Sequence, residues 1–129
     1  DTVTICPNQL GQIGALWGIE NLSDWVAAER EEILYRRAAI QEGFAIIADH
    51  GWKLLGCGAY FAYVEHPFQK SSTEIARKLV ADASILMLPG SMFMPSDDPA
   101  GEQQFRIAFA NVDRAGITEL FHRLASFQP

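Results

Sequence analysis

The chain has 129 residues, 49% of them hydrophobic and 20% charged, a globular balance that suits one domain and excludes a disordered chain. Sixteen acidic residues against ten basic ones leave a formal charge of −6. That charge argues against nucleic acid as a partner, since such a surface needs a basic surplus or stripe, and no run approaches the roughly 18 apolar residues of a membrane span.

The chain opens on Asp1-Thr2-Val3-Thr4, with no initiator Met and no basic-then-apolar leader pattern, and it reads as the middle of a longer protein. Val3 to Cys6 is expected to be extended, because Pro7 disfavours helical geometry at the residue before it. Asn8 then caps a short helix from Gln12 to Trp17. Gly11, Gly14 and Gly18 weaken that helix in isolation and predict packing supplied from elsewhere. Cys6 and Cys57 are too few for a disulfide framework, so both are expected as reduced thiols in a cytoplasmic protein.

Ser23 is the next cap. Val26, Ile33, Ile40 and Ile47 recur every seven residues and define one face of a helix over 24–49, closed by His50-Gly51. Such a helix is about 38 Å long, whereas a compact chain of this length has a radius of gyration of about 14 Å. Its face at Val26, Ile33 and Ile40 is therefore expected to meet a partner outside this chain, as is the glycine-rich segment 8–18. Gly56-Cys57-Gly58 reads as a break, and Ala59 to Glu65 as a strand rich in Tyr, Phe and Val. Ser71-Ser72-Thr73-Glu74 is a capping box that starts a helix running to about Asp82. Ile85 to Leu88 reads as a short strand stopped by Pro89-Gly90, and 91–102 as a loop. In Gln103 to Ala110, Phe105, Ile107 and Phe109 alternate with Arg106, Ala108 and Ala110, the pattern of a strand with one buried face. Asp113 caps the last helix. The fold class expected is α/β of the α+β type: a small mixed, mostly antiparallel sheet with helices packed on it, preceded by the long helix.

Few residues form a chemical constellation. His50, His66 and His122 lie far apart, without metal-ligand spacing, and are expected as scattered surface or half-buried residues. Gly-x-Ser-x-Gly is absent. Gly56-Cys57-Gly58 lacks the third glycine and following helix of a dinucleotide cradle. Arg36-Arg37 reads as a solvated face with a salt bridge. Arg106 stands apart. It sits mid-strand beside small neighbours, and a guanidinium cannot shed its charge when buried. Either an internal carboxylate or a ligand carboxylate must answer it, and composition alone favours the internal ion pair.

Four stretches, Gly58-Ala59-Tyr60-Phe61, Ser72-Thr73-Glu74-Ile75-Ala76-Arg77, Leu88-Pro89-Gly90-Ser91-Met92-Phe93 and Phe105-Arg106-Ile107-Ala108-Phe109-Ala110-Asn111, occur in an order and spacing that resembles the C-terminal third of class I/II aminotransferases, pyridoxal-phosphate enzymes of fold type I. The resemblance covers essentially the whole chain. It implies a single domain over 1–129, the C-terminal small domain. Within it, 1–22 would be a lead-in, 23–50 the long inter-domain helix, and 51–129 the sheet-and-helix core. It further implies a cytoplasmic homodimer acting on an amino acid and a 2-oxo acid with pyridoxal 5'-phosphate, and no nucleic-acid or membrane partner. Arg106 maps onto the arginine that binds the substrate α-carboxylate, and Tyr60 onto the aromatic residue near the site. The chain departs from a complete enzyme in its lysines. Lys53, Lys70 and Lys78 follow no Ser-x-x-Lys-type motif, so no catalytic or cofactor-binding residue is expected within these residues, and the chain alone is expected to be inactive. Two alternatives stay open: a lyase or decarboxylase of the same fold, and the effector-sensing domain of a transcription regulator.

Overall fold

The structure is a computed structural model and describes residues 5–129. The expected extended piece at 3–6 lies partly outside the described residues; Ile5 and Cys6 form a bend. The chain divides into two compact units that meet in sequence at Glu32 and Ile33.

The first unit holds helix α1 (Gln9–Asn21) and the opening turns of helix α2 (Ser23–Ala48). Asn8 caps α1 by accepting from the Gly11 N–H at 3.0 Å, as expected of that residue type. The helix carries on through all three glycines, because its hydrogen bonds run on to Leu22, whose N–H donates to Gly18. No residue of α1 is buried, and Leu10, Ile13, Leu16, Trp17 and Ile19 are all exposed.

The second unit has a true core. Here α2 buries Ala39, Ile40, Gly43 and Ile47. The seven-residue face therefore changes character along its length. Val26 is 56% exposed, Ile33 is half-buried, and Ile40 is fully buried within this unit. The expectation that Ile40 meets an outside partner is thus corrected: it belongs to the internal core. Gly43 lets α2 come close to the last helix, since a Cβ there would lie 2.3 Å from the Phe121 ring.

Four strands form one sheet in the order β1 (Lys53–Gly58), β2 (Phe61–Glu65), β4 (Gln104–Ala108), β3 (Leu88–Pro89), with every pairing antiparallel. Helix α3 (Ser72–Ala83) and helix α4 (Arg114–Ser126) complete it. The Ser71 capping box and the Asp113 cap are both formed. The stretch expected to break the chain, Gly56 to Gly58, is instead the end of β1, and only Phe61–Glu65 of the strand expected over 59–65 is extended. Pairing with β2 overrides the poor strand propensity of the glycines, and a register shift between Leu54 and Gly56 absorbs the extra residue. Ala59 and Tyr60 make the two-residue turn, with Ala59 at φ 47°. The strand expected over 85–88 shrinks to Leu88–Pro89, which pairs with Arg106 and Phe105.

Alternation sorts the sheet. Ala62, Val64, Phe105 and Ile107 are buried in the core with Ile75, Leu79, Ile117, Phe121 and Leu124. Each of these side chains larger than alanine contributes about 1.5–3 kcal/mol on burial. Tyr63, Arg106 and Ala108 occupy the opposite face.

Candidate functional site

Arg106 sits mid-way along β4, anchored from behind by the buried neighbours Phe105 and Ile107. Its partner across the ladder in β2 is Tyr63, and in β3 it is Leu88. Two rings cover the guanidinium: its central carbon lies 4.2 Å from the ring centroid of Phe61 and 4.0 Å from that of Phe93. Both are within cation–π range. Phe61 reaches it diagonally, since its own ladder partner is Ala108. Phe93 comes from the loop after the short 3-10 turn Gly90–Met92.

The charge has no internal answer. Among the described residues no carboxylate forms an ion pair with Arg106, and its Nε is buried without a hydrogen-bond partner. Glu65, one candidate for an internal pair, is bound to Lys53 across β1 and β2. Asp82, the other, is bound to Lys78. The Asp98 carboxylate accepts from the Ala100 N–H at 2.9 Å. The internal ion pair that composition favoured is therefore not formed. Tyr63 Oη and Gln104 Oε1 are also buried with no hydrogen-bond partner among the described residues. Burial pushes the Tyr63 phenol above its ordinary 10.0, with Arg106 pulling it down and Asp98 adding to the rise. A cleft of about 520 Å³ counts Arg106 among its lining residues, together with the segment Ser84–Leu88 and, from α4, Glu119, Leu120 and Arg123.

Tyr60 lies in the turn next to Phe61, its side chain exposed and its carbonyl accepting from the Phe109 N–H at 3.1 Å. The rings that touch Arg106 are those of Phe61 and Phe93. Phe61, Tyr63 and Gln104 are site residues the sequence reading did not single out, although their parity with Arg106 follows once the β2–β4 register is known.

Arg36 and Arg37 are not a solvated face. Both are half-buried. Arg36 donates to the Ala110 carbonyl just past β4. Arg37 lies against Cys57, whose thiol burial raises from 9.0 while the arginine acts to lower it. His66, expected at the surface or half-buried, is 2% exposed, and burial lowers its pKa from 6.5. Its Nδ1 accepts from the Phe68 N–H, so Nε2 carries the proton and faces the Glu102 carbonyl.

The family model for aminotransferase class I and II matches residues 7–124. The chain belongs to the aminotransferase class I and II family. Among solved aminotransferases, one from Mycobacterium tuberculosis is 26% identical over 97% of this chain, with a TM-score of 0.79. The kynurenine aminotransferase of Pyrococcus horikoshii, solved in complex with PMP, shares the fold with a TM-score of 0.81 at 24% identity over 97% of this chain. The chain covers 32% and 31% of those two proteins, so it spans about a third of their length. No curated protein matched it. No helix among the described residues is long and apolar enough to cross a membrane.

The residues of this aminotransferase portion do not fit attachment of the family's cofactor. A lysine that forms a Schiff base must be held in place and desolvated. Lys53 pairs with Glu65 on the exposed hairpin, Lys78 pairs with Asp82 on the open side of α3, and Lys70 is exposed.

Proposed function

We propose that this chain is the C-terminal, small-domain portion of a pyridoxal-phosphate-dependent aminotransferase, and that Arg106 binds the α-carboxylate of its amino-acid and 2-oxo-acid substrates. The observation that carries the reading is a guanidinium in contact with two rings and with no ion-pair partner among the described residues. A buried or half-buried cation without an anion is costly unless a ligand supplies one. A planar fork suits a carboxylate in two parallel hydrogen bonds.

In the complete enzyme the cofactor acts as the electron sink for the amino-group transfer, and its lysine comes from polypeptide outside these residues. The part played by this chain is to bind and orient. Arg106 neutralises the carboxylate and fixes the angle at which the substrate lies, and Tyr60 borders the substrate from the β1–β2 turn. Family membership and the exposed apolar side chains of α1 support a homodimeric, cytoplasmic parent.

The test is Arg106→Lys in the full-length enzyme. A lysine keeps the charge but not the fork, so kcat/KM should fall by an amount equivalent to about 2–4 kcal/mol. The absorbance of bound cofactor should not change. An unchanged kcat/KM would remove Arg106 from the site.

A further inference from the structure

Taking Arg106 as the carboxylate site, we propose that Phe61 and Phe93 are positioning residues. They hold the guanidinium in place by cation–π contact from two separate elements and leave its two terminal nitrogens for the carboxylate.

The geometry begins with the central carbon of the guanidinium, which lies 4.2 Å from the Phe61 ring centroid and 4.0 Å from that of Phe93. Nε is buried, without a hydrogen-bond partner among the described residues. The two terminal nitrogens are left for the carboxylate. Neither of those atoms is buried and unsatisfied, and among the described residues neither carries a hydrogen bond or an ion pair.

The two rings are not core filling. Phe61 is 37% exposed and Phe93 is 44% exposed, and neither belongs to the buried cluster. The guanidinium is the group they share. Their placement is enforced from different parts of the fold. Phe61 is set by the β2–β4 ladder, where its partner Ala108 is small enough to leave the diagonal to Arg106 open. Phe93 is set by a chain of close contacts. Its N–H donates to Gly90 at 2.9 Å. A Cβ on Gly90 would lie 2.9 Å from the Gly101 carbonyl, and one on Gly101 would lie 2.8 Å from the Ser91 backbone. The same Gly101 carbonyl accepts from the buried Ser72 hydroxyl at 2.8 Å, which ties this loop to the first turn of α3. The loop can therefore shift little, and the ring it carries stays on Arg106.

The experiment uses the full-length enzyme loaded with its cofactor, and two probes of equal shape, 3-phenylpropionate and its neutral amide 3-phenylpropanamide. Calorimetry gives the affinity for each. Phe93→Leu and Phe61→Leu should each weaken the acid by about three- to tenfold, the range of a lost cation–π contact, and leave the amide unchanged. Phe93→Tyr keeps a ring over the cation and should restore the acid. Phe93→Met, close in size and apolar but without a π face, should behave as Phe93→Leu and guards against an effect of packing alone. Arg106→Lys is the reference and should abolish the preference for acid over amide. If Arg106→Lys abolishes it while the phenylalanine variants leave it intact, the positioning role is overturned and the carboxylate site stands. If Arg106→Lys leaves the preference intact, the carboxylate site is overturned and the positioning role with it.

Discussion

Tyr63 and Arg106 face each other directly across β2 and β4, and each keeps one buried polar atom, Oη and Nε, without a partner. Two neighbouring β-strands thus present unsatisfied groups on the same side of the sheet, the side away from the core. Native proteins keep few such groups, and those they keep have a use.

Removing one of them tests its cost. Tyr63→Phe deletes a hydroxyl that has lost water and gained no partner. The variant should be as stable as the wild type or more stable, by up to about 1 kcal/mol. A thermal midpoint that falls by several degrees would mean that the hydroxyl has a partner in the full-length enzyme.

Gly43 is the place where α2 and α4 touch. Gly43→Ala would put its methyl carbon 2.3 Å from Phe121, a ring with no exposure at all. Helix propensity favours alanine by about 1 kcal/mol, but overpacking costs about 1–3 kcal/mol. The net expectation is a lowered denaturant midpoint with an unchanged slope.

His66 makes stability depend on pH. Burial lowers its pKa from 6.5 in the folded state, so the unfolded chain binds the proton more readily. The stabilisation is complete above pH 6.5 and is lost as pH falls through the lowered folded value. The ring packs on Phe68, Phe105 and Trp52, and burial outweighs the pull of the Glu102 carbonyl and the Glu65 carboxylate toward the imidazolium form. Histidine NMR titration should show the His66 resonance shifted to acid, and His66→Phe should flatten the acid limb of the stability profile.

Ala59 holds the turn that carries Tyr60, at φ 47°, in the left-handed region. Glycine has no penalty there. Ala59→Gly should raise stability by about 1 kcal/mol, offset in part by the greater freedom of the unfolded chain. If the strained turn serves to aim Tyr60, substrate KM should rise while the thermal midpoint also rises; both can be read on one preparation.

Local chemistry was legible before any tertiary structure. Asn8, Ser71 and Asp113 each cap a helix because a short polar side chain can answer a free N–H within its own turn. Arg106 was recognisable because strand alternation sets it opposite Phe105 and Ile107, whichever strands lie alongside. What the sequence alone could not decide was everything that depends on two distant segments meeting. β1 runs through glycines that argue against a strand and exists because β2 pairs with it. Ile40 joins the core and Val26 does not, although they share a helical face, because only the second half of α2 has a sheet and α4 to lie on. The choice between an internal ion pair and an open guanidinium rested on which side chains reach Arg106. Two phenylalanines from separate elements do, and among the described residues no carboxylate forms an ion pair with it; Glu65 and Asp82 are held by lysines near them. Caps and alternation depend on neighbours along the chain, whereas an ion pair or a ring stack depends on neighbours in space, which only the folded backbone supplies.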